Sequence, residues 1–244
     1  MRKLAYLLFC FTFTATAREP ETQANFESAH EHETVGVHIQ TGWESRYSLE
    51  GRDSLDGDSL LTTSIELDWN RFFAGIWYGQ SPDQHYDELR MTLGLNETVG
   101  DFEFYASYTH LQFLSHDFHD NEVGMGGSWS GLPLELVIAL DTYYSFDADG
   151  SFWQVALNRA FEISDHLTVA GSAMFGVNQG YVADGHDGAN NLALRLGTEY
   201  IITPWLTVTA HATYSWAVDS DSNLTGDEQL VDFFHGGASL QWSF

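Results

Sequence analysis

The feature that most constrains this chain is a period-two alternation of apolar and polar residues, repeated in segments of about ten residues from Thr34 to Phe244. In Leu206-Thr207-Val208-Thr209-Ala210-His211-Ala212-Thr213-Tyr214-Ser215-Trp216 every even position is apolar and every odd one is polar or His. Successive side chains of a strand point to opposite faces, so each segment makes a strand with one oily and one wet side. The pattern returns from Leu61 to Trp69, Leu89 to Leu95, Phe102 to Tyr108, Leu134 to Leu140, Leu167 to Val177, Leu192 to Tyr200 and Phe234 to Phe244. Strands of soluble proteins usually run about five or six residues. A tilted strand that crosses a bilayer needs about nine to eleven. Past residue 17 no apolar run approaches the roughly 18 residues of a membrane helix, so a membrane protein of this sequence has to be a barrel.

Twelve strands are expected, at 34–48, 60–69, 72–80, 86–97, 101–113, 121–130, 133–145, 151–163, 166–178, 190–203, 205–217 and 230–244. The connections alternate in length. Short turns fall at Asn70-Arg71, Thr98-Val99-Gly100, Gly131-Leu132, Ser164-Asp165 and Pro204, and longer acidic loops fill the other connections. An even strand number, short turns at one end and long loops at the other describe an antiparallel up-and-down transmembrane β-barrel, all-β, with both termini on the periplasmic side. A soluble sandwich would also alternate. Against it stand the strand length and the aromatic residues near strand ends, including Trp43 and Tyr47, Trp69, Phe102, Phe104, Trp129, Tyr144, Trp153, Tyr200, Tyr214, Trp216 and Trp242, which suit interfacial girdles. The other face is too polar for a sandwich core, since it carries Glu66, Asp68, Glu88, Arg90, Glu103, Glu135, Asp141, Arg195 and Glu199.

The amino terminus reads as an export signal. Met1-Arg2-Lys3 is basic, Leu4 to Phe13 is apolar, and Ala15-Thr16-Ala17 fits a small-x-small cleavage site. The expected organisation is a signal peptide over 1–17, a short periplasmic segment over 18–33 and the barrel over 34–244. The lone Cys10 lies within the signal, and Phe9 before it is too bulky for a lipoprotein signal. Cleavage would take the formal charge from −26 to −28 and leave neither Lys nor Cys, so disulfides are excluded. Such a charge excludes binding to nucleic acid, which requires a basic surface to displace counterions.

Two segments carry resemblances. The last strand ends Leu240-Gln241-Trp242-Ser243-Phe244, which is similar to the carboxy-terminal signal of substrates of the outer-membrane barrel assembly machinery. The stretch from Gly42-Trp43 through Arg46-Tyr47 to Glu50-Gly51-Arg52-Asp53 resembles the opening of small TorF-like porins, with Glu-Gly-Arg in place of their usual Arg-Gly order. The resemblance implies a Gram-negative outer-membrane porin that has no catalytic residues. Its partners would be outer-membrane lipid and lipopolysaccharide, the assembly machinery, and small ions or solutes.

Parity places His38, Glu44, Arg46, Glu66, Asp68, Glu88, Arg90, Glu103, Glu122, Glu135, Asp141, Glu162, Arg195, Glu199, His211 and His235 toward the lumen. Glu66, Asp68, Arg90, Glu103, Glu135, Glu162, Arg195 and Glu199 are the expected lumen-lining and selectivity residues, with the acids ringing the periplasmic end. Acidic rings favour cations. The same groups could instead hydrogen-bond to Arg195, Tyr105 and water in a barrel that conducts nothing, acting through its acidic loops in structure or adhesion. Arg159 falls on the lipid-facing side, from which its long stem would reach the headgroups.

No cofactor or metal is expected. Asp56-Gly57-Asp58, Asp147-Ala148-Asp149-Gly150, 184–188 and 219–223 have alternating oxygen ligands but lack the downstream Glu of a calcium loop, and these residue types are also those of turns. His30-Glu31-His32-Glu33 and the cluster of His116, Asp117, His119 and Asp120 show no closed ligand set. A surface lipid hydrolase is the remaining alternative. Outward His110 is followed by Gln112 where barrel phospholipases carry Ser, and Ser130 breaks the only near match to a nucleophile elbow.

Overall fold

The computed structural model describes residues 35–116 and 118–244, so the proposed signal and the 18–33 segment lie outside the described residues. Twelve strands close into one antiparallel barrel: β1 (Gly36–Glu44), β4 (Leu60–Trp69), β5 (Phe72–Gln80), β6 (Asp87–Val99), β7 (Phe102–Phe113), β8 (Phe118–Trp129), β9 (Val137–Ser145), β10 (Gly150–Ser164), β11 (Leu167–Gln179), β12 (Gly188–Thr203), β13 (Leu206–Ala217) and β14 (Phe233–Ser243). Two further strands, β2 (Ser48–Leu49) and β3 (Arg52–Asp53), form a small hairpin of their own within the first long loop. Neighbours in sequence are neighbours in the wall, and β1 closes the ring by pairing with both β4 and β14. Closure leaves no edge strand, a condition for backbone in hydrocarbon. At the seam Val37 and Phe244 exchange backbone hydrogen bonds of 3.1 and 3.0 Å, so the first and last strands meet at the periplasmic end.

The alternation assigns the faces as the residue pattern requires. Outward Leu93, Met125 and Leu196 are 64%, 57% and 57% exposed, an exposure that only lipid makes favourable. Outward rings gather near strand ends: Phe102 stacks on Phe104 and Trp129 at the periplasmic end, and Tyr214 packs 4.6 Å from Trp216 at the other. Arg159 does face outward, with its guanidinium 4.5 Å over the Phe161 ring.

Two differences from the sequence expectation have physical causes. Tyr47 does not join the outer girdle. Strand β1 stops at Glu44, the chain turns inward, and Tyr47 is fully buried inside the barrel. The turn expected at Gly131-Leu132 extends to residue 136, because Pro133 has no N–H for the ladder and Leu134 and Glu135 both take positive φ, at 62° and 57°. Glu135 is therefore an exposed turn residue, and its expected place on a lumen-facing strand is corrected. The acidic loops are built as turns: Asp56, Asp149 and Asp219 are left-handed, Asp187 accepts from the Gly180 N–H at 2.7 Å, and Asp221 accepts from the backbone and side chain of Asn223.

Candidate functional site

Among the described residues, many of the ionisable groups gather inside the barrel, whose two halves are built differently. In the extracellular half, the first long loop, 45–59, folds into the barrel. Leu49-Glu50-Gly51-Arg52 is a two-residue hairpin turn in which Glu50 and Gly51 have φ of 45° and 71°, the conformation of the tight turns that match strand twist. Gly51 is required twice over, since a Cβ there would also meet the Asn191 side chain at 2.3 Å. Tyr47 and Leu55 of the loop join Leu60 in a buried cluster covered by Leu49, Trp77 and Tyr86. Each buried aliphatic or aromatic side chain stabilises the inward position by about 1.5–3 kcal/mol relative to exposure.

Polar contacts fix the loop to the wall at three points. Tyr47 donates to Glu88 at 2.9 Å and accepts from Arg90 at 2.7 Å, while Arg90 also bonds Glu88 and lies 5.0 Å over the Trp77 ring. Arg52, 4% exposed, donates to the Gly226 carbonyl at 2.6 Å, to Asn190 at 2.7 Å and to Asp227 at 2.8 Å. Glu50 accepts from Tyr143 at 2.9 Å, beside a cluster in which Tyr143 packs on Phe152 and Tyr181, and Tyr181 bonds Glu122. The Arg52 contact draws two more loops inward, because Asp227 also bonds His186 at 2.7 Å. Burial alone would lower the His186 pKa, but hydrogen bonds to the Ala189 carbonyl and Asp227 outweigh it and hold the imidazole above its ordinary value. Burial likewise works against the Asp227 carboxylate, yet donors from Asp221, His186 and Arg52 hold its pKa below the usual range.

The periplasmic half holds acids without such a frame. Glu66 and Asp68 on β4, Glu103 on β7, Glu162 on β10 and Glu199 on β12 all fall on the inward parity at strand ends nearest the short turns, and Arg195 stands higher on β12. His38 lies 3.3 Å from Asp68. Asp141, at mid-height on β9, accepts from Tyr105 at 2.9 Å with one oxygen. Its second oxygen and Oε1 of Glu66 are buried and have no hydrogen-bond partner among the described residues.

Of the expected site residues, the structure brings Glu66, Asp68, Glu103, Glu162 and Glu199 to one end of the lumen. It withdraws Arg90 into the loop anchor and leaves Glu135 on the rim. The sequence reading did not resolve the inward loop or the Arg52–Asp227–His186 latch. A signal was present: Tyr47, Leu49 and Leu55 are apolar within an otherwise acidic loop that also carries Arg46 and Arg52 of a chain very poor in cations. On the outer surface His110 and Tyr108 both bond Asn121, at 2.9 and 2.7 Å, with Gln112 in the place a nucleophile would take.

No family model and no curated protein sequence matches this chain. Solved structures of similar fold do. The KdgM porin aligns over 86% of this chain and 99% of its own length at 9% identity, with a TM-score of 0.57. KdgM porin in complex with disordered oligogalacturonate gives 0.56 at 8% identity, over 86% of this chain and 99% of that one. The NanC porin gives 0.52 at 11% identity, over 84% and 98%. The chain therefore has the fold of a small porin-like barrel of the bacterial outer membrane, which bears out at that level the porin resemblance read from 42–53.

Proposed function

We propose that this barrel is a narrow diffusion channel of the outer membrane that prefers cations, with Glu66, Asp68, Glu103, Glu162 and Glu199 setting the preference. The observation that carries the reading is the set of inward carboxylates that Glu66, Asp68, Glu103, Glu162 and Glu199 place at one end of the barrel. Carboxylates gathered without a matching number of basic side chains are favourable only where water or a counter-cation meets them. Twelve strands enclose more space than the eight-stranded barrels that side chains fill, which leaves room for such water. The fold of KdgM and NanC supports a channel of this size class. Oligogalacturonate, the polyanion in one KdgM complex, is a poor solute for a lumen whose periplasmic end is lined with carboxylates.

The inward first loop favours a second reading, a closed barrel that acts through its surface loops. Planar-bilayer recording of the refolded protein separates the two. The channel reading expects a small, steady conductance with a zero-current potential of cationic sign across a KCl gradient, reduced toward zero by Glu66→Gln, Glu103→Gln and Glu199→Gln together. Absence of conductance, or an anionic sign, rejects it.

A further inference from the structure

Between the two halves of the lumen, three strands that adjoin in the wall bring two histidines and a carboxylate together. We propose that Glu44 on β1, His211 on β13 and His235 on β14 form a binding site for a divalent transition metal of the zinc type. The register makes the cluster. Glu44 and His211 face Gly237 from opposite sides, and His235 is two residues from Gly237 on the same face of β14. Because Gly237 has no side chain, the Glu44 carboxylate can cross β14 toward His211; a Cβ there would meet Oε2 of Glu44 at 2.3 Å. Oε2 of Glu44 lies 3.1 Å from Nε2 of His211, and the two imidazole centroids are 5.8 Å apart at 75°. One ligating atom from each residue lies within 4.8 Å of the other two.

A second observation points to a ligand. His235 is 7% exposed, and its Nδ1 has no hydrogen-bond partner among the described residues. The His211 side chain is equally buried. A ring nitrogen withdrawn from water and left without a partner is unfavourable unless something occupies it.

The donor set selects the occupant. Two imidazoles and one carboxylate suit zinc and its neighbours, whereas calcium and magnesium prefer shells of oxygen alone. Three protein ligands leave a fourth position open to water or solute. Bonds of about 2.0–2.1 Å require the three ligand atoms, which lie within 4.8 Å of one another, to draw together on binding. Arg46 and Arg195 are the cations nearest His235. The Arg46 charge is offset by its ion pair with Asp53, and the Glu44 carboxylate counters the positive field at the site itself. The site stands on the fold alone, whether or not the barrel conducts.

The test is a calorimetric titration of the metal-free, refolded full chain with zinc alone, paralleled by cobalt(II) absorption as a readout of histidine ligation. One zinc per chain is expected. His235→Ala and His211→Ala should each weaken binding by at least about tenfold, the loss that even outer-sphere changes produce at such sites. Gly237→Ala keeps all three ligands yet places a methyl in the path of the carboxylate, and should weaken binding as well. Heat-modifiable gel mobility reports folding of each variant; if a histidine variant does not fold, Glu44→Gln and Gly237→Ala decide. The proposal is overturned if the wild type binds no stoichiometric zinc. It is equally overturned if folded variants bind as tightly as the wild type, which would place the metal elsewhere, such as at His116 and His119.

Discussion

The two ends of the lumen carry similar residue types and put them to different use. In the extracellular half, acids meet fixed donors: Glu88 meets Arg90 and Tyr47, Asp227 meets Arg52 and His186, and Glu50 meets Tyr143. In the periplasmic half the carboxylates line the wall, and some of their oxygens face no protein donor. Paired charges hold a loop in place. Carboxylates that no protein donor holds are left to act on whatever passes, so the upper half should limit size and the lower half should set sign.

The largest effect expected from breaking this division is on conductance. Replacing 48–53, which form the inner hairpin, with a short Gly-Ser link should raise single-channel conductance several-fold, because the segment removed fills the extracellular lumen. Next comes the latch. Arg52→Met leaves the buried Asp227 with His186 as its remaining ion-pair partner, and should release the loop at 218–232 to proteolysis while the barrel remains folded. Asp227→Asn, which keeps the shape, should have a smaller effect in the same assay.

Gly51→Ala should be intermediate to mild. It introduces strain at φ 71° of about 1 kcal/mol and a contact with Asn191, observable as faster amide exchange at Leu49 and Arg52. The smallest effect concerns pH. Asp227 contributes stability that is present above its unfolded value near 3.9 and is lost as pH falls through its depressed folded value. His186, with its folded value raised, contributes stability that is present below about 6.5 and is lost as pH rises through that raised value. The latch should hold best between about pH 4 and 6.5, and exchange at Gly185 and His186, corrected for intrinsic rate, should accelerate on the alkaline side first.

The wall of the barrel was legible in the sequence because a two-residue period leaves no ambiguity about which side chain faces lipid. Leu206 to Trp216 could be oriented residue by residue. The lumenal acids at 66, 103 and 199 followed from the same parity. What parity could not show is where a strand stops. Tyr47 continues the outward parity of Trp43, and only the break at Glu44 turns it inside, where Glu88, Trp77 and Arg90 receive it. Glu135 failed for the converse reason, since the turn at Pro133 delays the start of β9 to Val137. The Arg52–Asp227 pair spans 175 residues and depends on two loops meeting above the lumen, which no local pattern encodes.

The most direct test of the division between the halves is the zero-current potential, across a KCl gradient, of the barrel whose residues 48–53 have been replaced. If the lower acids set the sign, this wider channel keeps a cationic potential, lowered only modestly by its greater bore. A potential that falls to zero or becomes anionic when the hairpin is removed would contradict the account and place selectivity in the loop itself.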